Sequence, residues 1–457
     1  MSTITEAARE VEIVKETDVI VLGGGLAGIA AAVAAARNGM KTTLIEKFNV
    51  LGGLATAGHV CIYLPIDDGY GNKTFGGLTE ELLHVSIRYG YDNLPDVWRD
   101  KPMTVPKDSP RYRTNFNIPA AILAYDELCR EEGVDLVFDT TFSTPIMDGN
   151  TVKGVVVENK SGRTAYMAKM FIDSTGDSDL LYRAGADTVD TRTIVSTWAH
   201  ELDFESMKKG IENNDMIDAY PLRWFGLRPD VNNKNAVIPQ LNGTKAEDVN
   251  EYVRITRGLL LDHLKKNQRE SYAYGSINWM NQFRMTRHLV GKRAFDKNAV
   301  EQCTYEETSI GVVSNPLDGP AACYELPYET LITEKLTNVA AAGRMISVAD
   351  FENWQFIRSI PGCVLSGEAA GTAAAVAIKN GTDLLNVDVA EVQKIMAAAG
   401  NIIHCTPEMR KPEDVIVEFA KKLGGNAKKN TSTQGVKMDS LSYKDGEKHD
   451  AASNAGH

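Results

Sequence analysis

Three glycines and one acid have the spacing of a phosphate-binding site. Gly23, Gly25 and Gly28 form a GxGxxG motif, in which a tight turn lets the backbone approach a pyrophosphate closely. Glu46 follows Gly28 by 18 residues, where a carboxylate can accept hydrogen bonds from a ribose diol. The triplet alone is a weak signal that also fits a glycine-rich turn without a nucleotide. The acid at this spacing favours a dinucleotide site.

The segments around these residues predict a βαβ unit. Residues 18–22 and 41–46 are short apolar runs typical of buried strands, and residues 26–38 are an alanine-rich helical run that ends at Gly39. A unit of this length indicates a parallel, doubly wound sheet, with the glycine turn at the carboxyl end of its first strand.

Motifs further along the chain resemble those of the FAD-dependent oxidoreductase family, in the glutathione-reductase-like superfamily of Rossmann flavoproteins. They are, in chain order, GGLATAG (52–58), FIDSTGDSDLLYRAGA (171–186), RMTRHLVG (284–291), YELPYETLI (324–332), VAAAGRMIS (339–347) and IRSIPGCVLSGEAAGTAAA (357–375). The resemblance covers roughly residues 17–382. It implies FAD as cofactor and an α/β fold, with a Rossmann-type FAD-binding domain on a parallel sheet and an inserted α+β substrate domain.

The resemblance and the changes in composition divide the chain into six predicted segments. These are an N-terminal extension (1–16), the first part of the FAD-binding domain (17–190), the substrate domain (191–327), the return segment of the FAD-binding domain (328–382), a C-terminal helical segment (383–422) and a disordered tail (423–457).

The resemblance also implies which residues contact the cofactor. The pyrophosphate would contact Gly23, Gly25 and Gly28, the adenosine ribose Glu46, and the AMP half and the approach to the flavin Lys47, Gly52, Gly53 and Thr56. The strand end beneath the cofactor would be Thr175, Gly176 and Asp177, and the ribityl chain or pyrophosphate would contact Gly343 and Arg344. A helix start that faces the flavin pyrimidine would lie at Gly371 and Thr372. A helix N-terminus suits that last position because reduced flavin carries negative charge there.

Arg358 and His59 are the first catalytic candidates. Arg358 precedes Pro361 and the glycine-rich helix, where its guanidinium could clamp a carboxylate or stabilise charge on the reduced flavin. A structural salt bridge is the alternative. His59 follows GGLATAG, and an imidazole with a pKa near neutrality could donate or accept the proton that accompanies hydride transfer. A structural histidine stays open for His59, as does a covalent flavin link like that of the related succinate dehydrogenase class.

Arg287 and His288 are further catalytic candidates, together with Arg284 in the same RMTRHLVG motif. They belong to the predicted substrate domain and could face the flavin from that side. Their spacing also suits one helix that makes ordinary surface ion pairs.

Composition excludes several function classes. The 457 residues carry a formal net charge of −12, which argues against binding nucleic acid. Six cysteines lie far apart without a CxxC pair, so we expect reduced thiols in a cytoplasmic protein and no metal site. The longest uncharged stretch, residues 19–36, contains four glycines and follows an acidic segment; we therefore expect no integral membrane segment.

Together these features predict an FAD-dependent oxidoreductase, a dehydrogenase or reductase. It would transfer a hydride between FAD and a small organic substrate that is carboxylate-bearing or sugar-like. No second GxGxxG follows a later strand, so we expect a separate electron donor or acceptor, and a homo-oligomer is compatible with the sequence. Two alternatives stay open: a flavin-dependent isomerase or hydratase without net redox change, and a non-catalytic nucleotide-binding protein.

Overall fold

A computed structural model describes residues 3–100, 102–226, 240–315 and 321–411. Within these ranges the helices are α1 (Leu26–Arg37), α2 (Gly77–Ile87), α3 (Ile118–Glu131), α4 (Asp179–Arg183), α5 (Phe204–Asn213), α6 (Met216–Ala219), α7 (Ala246–Lys266), α8 (Phe351–Ile357), α9 (Ile360–Asn380) and α10 (Val389–Ala398). The predicted tail at 423–457 lies outside the described residues.

The strands follow the same chain order. They are β1 (Glu12–Glu16), β2 (Val19–Leu22), β3 (Thr42–Ile45), β4 (Ile62–Tyr63), β5 (Thr114–Asn115), β6 (Asp135–Val137), β7 (Thr141–Asp148), β8 (Thr151–Asn159), β9 (Gly162–Met167), β10 (Met170–Asp173), β11 (Thr188–Asp190), β12 (Thr193–Ile194), β13 (Ser196–Asp203), β14 (Leu222–Gly226), β15 (Gln240–Leu241), β16 (Tyr272–Ile277), β17 (Arg287–Leu289), β18 (Ser309–Ser314), β19 (Cys323–Pro327) and β20 (Val339–Ala341).

A five-stranded parallel sheet carries the fold, in the order β20-β10-β2-β3-β6. Strands β2, β3, β10 and β20 are buried along their whole length, as expected for a parallel sheet with both faces covered. The predicted βαβ unit is present as β2, α1 and β3, each within two residues of its expected ends. The α/β class with a parallel sheet is confirmed.

Helices α1 and α9 pack together closely because glycines lie in the contact. A Cβ on Gly367 or on Gly371 would lie 2.1 Å from the carbonyl oxygen of Ala27 or of Ala31 respectively. Since both pairs advance by four residues in the same direction, the two helices run parallel. By length and composition α9 is, among the described residues, the one helix that could cross a membrane, and 89% of its apolar window is buried inside the protein.

This packing corrects the interpretation of Gly371 and Thr372. The sequence suggested a helix start at these residues, but α9 begins at Ile360 with Ser359 as its N-cap, and Gly371 lies in the helix interior against α1. A glycine that allows close helix contact has the same sequence appearance as one at a turn, and the tertiary contact decides which it is.

A second sheet has the order β1-β9-β8-β7. Strands β8 and β9 form a hairpin with its turn at residues 159–162. Strand β9 ends at Met167, and β10 lies beside β2 in the main sheet. The N-terminal extension contributes β1, which pairs in parallel with β9.

The central segment, residues 191–327, has a three-stranded antiparallel sheet in the order β14-β13-β16. Helix α7 packs beside it, and small apolar clusters separate from the main core lie between them. The helix considered for residues 284–288 is wrong, since Arg287–Leu289 form β17 and pair with β11. Antiparallel pairing with a distant strand is a tertiary contact that the local spacing does not encode.

Candidate functional site

The three glycines of the β2–α1 turn have different roles. Gly23 adopts a positive φ of +99°, and a Cβ there would lie 2.5 Å from Ser174 O. A Cβ on Gly28 would lie 1.9 Å from Gly23 O, so Gly28 permits contact between helix and strand. Gly25 has no atom within 4 Å of its would-be Cβ and lines a cavity. Gly25 therefore leaves space for a ligand, whereas Gly23 and Gly28 allow the tight turn and the close contact between helix and strand.

Glu46 faces the same cavity from the end of β3. Its Oε2 accepts from Gly24 N at 2.6 Å and its Oε1 from Phe48 N at 2.8 Å. Burial raises the pKa of this carboxyl group, and the backbone hydrogen bonds oppose that rise. Each oxygen keeps lone-pair capacity for a ribose hydroxyl. We call Gly23, Gly25, Gly28 and Glu46 the cradle.

The cavity has a volume of about 630 Å³ and reaches well beyond the cradle. It is lined by most of the cofactor contacts expected from the sequence: Gly23, Gly25, Glu46, Lys47, Gly52, Gly53, Thr175, Gly176, Gly343 and Arg344. Open space at Gly25 next to a hydrogen-bonding carboxylate at Glu46 fits the pyrophosphate and ribose of a dinucleotide, so these residues fit FAD.

Thr56 and Asp177 do not line this cavity and instead support residues that do. Thr56 Oγ1 donates to Leu51 O at 2.5 Å. Asp177 Oδ1 accepts from Arg344 Nη2 at 3.1 Å and from Thr286 Oγ1 at 2.7 Å. The structure thus gives Arg344 a carboxylate partner, and Thr56 and Asp177 lie behind the lining.

Arg284 and Arg358 line the cavity without such a partner among the described residues. Arg358 lies between α8 and α9, and Arg284 lies between β16 and β17. Arg358 Nε donates to Gln355 Oε1 at 2.9 Å, and Arg284 Nη2 donates to Gln282 Oε1 at 3.3 Å. Neither guanidinium forms an ion pair with a carboxylate among the residues that the structure describes.

Electrostatics at these two arginines are unfavourable in the protein alone. Burial lowers the pKa of Arg358 to about 10. Burial also lowers the pKa of Arg284 to about 10, and the positive charge of Arg358 contributes to that shift. Both side chains remain charged at neutral pH, so two like charges lie near each other and are compensated only by neutral amide oxygens.

Aromatic side chains also line the cavity. Trp198 and Trp224 are directly opposite each other in the β13–β14 pair, and both line the cavity with Phe351 and Trp354. The Arg358 guanidinium lies 5.3 Å from the Trp354 ring, within cation–π distance. We call Arg284, Arg358 and these four aromatic residues the arginine chamber.

His59 lies behind the cavity wall. Its side chain is 1% exposed and its backbone has a φ of +58°, while Val60 and Ile62 line the cavity nearby. The ring packs 5.5 Å from His200 and 6.3 Å from Trp279, and Nδ1 has no hydrogen-bond partner in the described structure. Burial lowers its pKa to about 4. The near-neutral pKa expected from the sequence is therefore wrong.

Arg287 and His288 are not brought to Arg358. Arg287 forms ion pairs with Asp190 at 3.1 Å and Asp179 at 3.6 Å, and its guanidinium lies 3.8 Å from the Tyr182 ring. His288 lines a different cavity of about 600 Å³. Arg287 thus has acidic partners of its own, and the cavity at His288 shares Phe351 with the first cavity. Of the RMTRHLVG charges, Arg284 is the one that lines the first cavity.

Some lining residues carried no sequence signal. They come from the start of β7 and from the region around β5, and they are Asn93, Arg113, Asn115, Thr140, Thr141 and Phe142. Common polar residues in short strands and loops have no distinctive spacing, so only the fold brings them to the cavity.

The chain matches a protein family over most of its length. The family model described as "FAD dependent oxidoreductase" matches residues 18–197 and 190–396. No curated protein sequence matches the chain. Similar solved structures include p-nitrophenol 4-monooxygenase PnpA from Pseudomonas putida DLL-E4, with 13% identity over 91% of this chain and 95% of that chain and a TM-score of 0.44.

Two more solved structures have comparable similarity. A geranylgeranyl bacteriochlorophyll reductase-like protein from Thermoplasma acidophilum has 14% identity, covers 90% of this chain and 99% of its own, and has a TM-score of 0.42. A flavoprotein/dehydrogenase from Cytophaga hutchinsonii has 13% identity, covers 83% and 82%, and has a TM-score of 0.40. At these values the neighbours carry no argument about substrate.

Proposed function

Because the chain belongs to the FAD dependent oxidoreductase family, we propose that it transfers a hydride between bound FAD and a small organic substrate. One observation carries this proposal: a single cavity joins the cradle to the arginine chamber. FAD supplies the hydride acceptor or donor when bound, and the protein supplies orientation and charge. Placement in the glutathione-reductase-like superfamily is part of the proposal and is supported by the resemblance of GGLATAG and the cradle motif.

Each half of the cavity has its own task in this proposal. The backbone at Gly25 and the first turn of α1 bind the pyrophosphate, and Glu46 binds the adenosine ribose. Residues 191–327 act as the substrate domain and supply one wall of the arginine chamber. Arg358 and Arg284 hold the substrate without changing protonation, because both stay charged at neutral pH.

The electron partner is proposed to be a separate molecule. One dinucleotide cradle is found among the described residues, and FAD would fill it. A free carrier, oxygen, a second substrate or another protein would then accept or donate the electrons.

Anaerobic substrate addition tests the proposal. The purified protein should release FAD on denaturation, and a screen of small carboxylates, sugars and phenols should find compounds that bleach the bound flavin without oxygen. Conversion of a compound while the flavin stays oxidised throughout would instead support an isomerase or hydratase. A protein that takes up no FAD would contradict the whole proposal.

A further inference from the structure

The charges that line the cavity are unevenly distributed. Its two lining acids are Glu46 and Asp179. Glu46 belongs to the cradle. Asp179 forms an ion pair with Arg287. Burial raises the pKa of Asp179, and the positive charge of Lys47, the residue after Glu46, opposes that rise. Both acids thus belong to the cofactor half of the lining. The arginine chamber keeps two cations, and Arg113 adds a further cation to the cavity lining.

The expected pyrophosphate position and Arg358 lie at different levels along α9. Gly367 is level with Ala27 in the parallel α1–α9 pair, so Ser366 is level with the first turn of α1, where the pyrophosphate is expected. Ile360 begins α9 six residues earlier, which at 1.5 Å per residue is roughly 9 Å farther along the helix axis. Arg358 lies just before Ile360, beyond the phosphate position. Arg358 is therefore placed to meet ligand atoms beyond the pyrophosphate, and a substrate anion at this end of the cavity would supply a counter-charge.

Two like charges held together without an acid are costly in a folded protein. Both side chains are only partly exposed to solvent, and a charge withdrawn from water is normally paired or coordinated, because its desolvation is otherwise uncompensated. Arg284 and Arg358 come from separate segments of the chain, donate to the amide oxygens of Gln282 and Gln355, and have no carboxylate partner among the residues that the structure describes. The first turn of α9, capped by Ser359, adds its positive dipole end next to Arg358. This arrangement is a site for an anion.

The aromatic walls narrow the chemistry of that anion. Trp198 and Trp224 offer two indole rings from adjacent strands, and Phe351 stacks on Trp354 with ring centroids 5.3 Å apart. Flat aromatic surfaces favour planar ligands through stacking and apolar contact. A sugar presents many hydroxyl groups and no charge, which would leave both guanidiniums unpaired.

We propose that the arginine chamber binds an aromatic carboxylate as the substrate, with the carboxylate between Arg284 and Arg358 and the ring against the tryptophans. The inference rests on the proposed function only in naming this ligand as the substrate; the binding site itself is argued from the charges and the walls. Guanidinium–carboxylate hydrogen bonds set the orientation, and the aromatic contact sets the plane.

Binding of three matched probes to the FAD-loaded protein tests the proposal without turnover. They are 2-naphthoate, its neutral amide 2-naphthamide, and the saturated decahydro-2-naphthoate, each measured by calorimetry and by perturbation of the flavin spectrum. We expect 2-naphthoate to bind about 30-fold more tightly than the amide and about fivefold more tightly than the saturated acid. Equal affinity for acid and amide would overturn the carboxylate, and equal affinity for the two acids would overturn the aromatic part.

Arginine variants assign the binding to this site. Arg358→Gln and Arg284→Gln should each weaken 2-naphthoate about 10- to 100-fold and change 2-naphthamide less than about threefold, because a charge-assisted hydrogen bond is lost. Arg254→Gln is the matched control, since Arg254 is an exposed arginine paired with Glu251. Unchanged 2-naphthoate affinity in both chamber variants would overturn the proposal.

Thermal unfolding separates a ligand site from a structural role. Removing one of two unpaired cations relieves repulsion, so the ligand-free Gln variants should have higher midpoints than the wild type. A lower midpoint in both variants would mean that the arginines stabilise the fold and would overturn the proposal.

Failure of the inference and failure of the proposed function give different results. If 2-naphthoate binds with the expected pattern but no aromatic carboxylate ever bleaches the flavin anaerobically, the binding site stands and the substrate assignment is overturned. If sugars or phenols bleach the flavin equally in wild type and both arginine variants, the hydride-transfer function stands and the aromatic-carboxylate proposal is wrong.

Discussion

In the cradle Glu46 accepts hydrogen bonds from two backbone N–H groups, whereas in the arginine chamber Arg284 and Arg358 donate to the amide oxygens of Gln282 and Gln355 and form no ion pair among the described residues. The cradle is therefore preorganised by the protein itself. The chamber holds charge that the described protein does not compensate. The same cavity therefore contains the cradle, whose polar groups are paired without a ligand, and the arginine chamber, whose charges are not.

The difference indicates which ligand each region is built for. A rigid turn that keeps one shape suits a cofactor that stays bound. A substrate that must enter and leave is served by a site whose charges gain a partner on binding, which raises specificity for anions. Four predictions test this contrast, from the largest expected effect to the smallest.

Gly28→Val should disrupt the cradle by damaging the fold. Its Cβ would lie 1.9 Å from Gly23 O, so α1 has to move away from β2. We expect a loss of about 4 kcal/mol or more in the free energy of unfolding, measured by urea unfolding of the apoprotein. If Gly28→Val unfolded with the same free energy as wild type, the β2–α1 turn would not be the rigid element proposed for the cradle.

Gly25→Val should abolish FAD binding while the fold remains intact. This glycine already has an extended conformation that valine tolerates, with φ −65° and ψ 173°, and its would-be Cβ meets no protein atom within 4 Å. The side chain would occupy the pyrophosphate position and lower FAD affinity about 1000-fold. The apoprotein should unfold like wild type, which makes this variant the matched control for Gly28→Val. Full FAD occupancy would refute the placement of the phosphate.

Glu368 on α9 predicts a pH dependence of the free energy of unfolding. This buried carboxyl group on α9 accepts from Leu78 N and Asn401 Nδ2, and burial raises its pKa from 4.5 to about 7. The folded protein therefore holds a proton that the unfolded chain releases above pH 4.5. The stabilisation from this group is complete below pH 4.5 and is lost as the pH rises through 7.

The expected loss from this group between pH 5 and pH 8 is about 3 kcal/mol. Glu368→Gln cannot titrate and should unfold with a correspondingly smaller difference between the two pH values, measured by urea unfolding. An identical difference in wild type and variant would show that the group is already ionised in the folded protein at pH 5.

His59 should contribute no limb to the pH profile of turnover near neutrality. Burial lowers its pKa to about 4, so the imidazole is uncharged between pH 5 and 8. His59→Asn keeps a polar side chain that tolerates the positive φ, and we expect less than a tenfold change in turnover with an unchanged profile. His288→Asn provides a comparison at the other candidate histidine. Loss of a limb near pH 6.5 in His59→Asn alone would restore the proton-transfer role.

Much of the cradle could be predicted from the sequence. The apolar runs of β2 and β3 and the alanine-rich α1 are local patterns, and the glycine triplet with Glu46 has a spacing set by one βαβ unit. Such features depend on residues close in sequence, so the backbone geometry follows from local constraints. The family resemblance added FAD, which the family match supports.

The arginine chamber could not be predicted in the same way. Arg284 and Arg287 share one motif, but they have different surroundings. Arg284 lines the cavity, whereas Arg287 lies in β17, which pairs with β11, and forms ion pairs with two acids. Gly371 was misinterpreted because only the α1 contact distinguishes helix packing from a turn.

The sequence by itself determined the glycine turn, the acid that follows it and the parallel α/β class, because these depend on short stretches of chain with fixed periodicity. Only the tertiary structure decided which arginines lack a counter-charge, that His59 is buried and neutral, and that α9 begins at Ile360. The physical reason is that charge compensation and desolvation depend on neighbours from distant segments, and those neighbours exist only once the chain has folded.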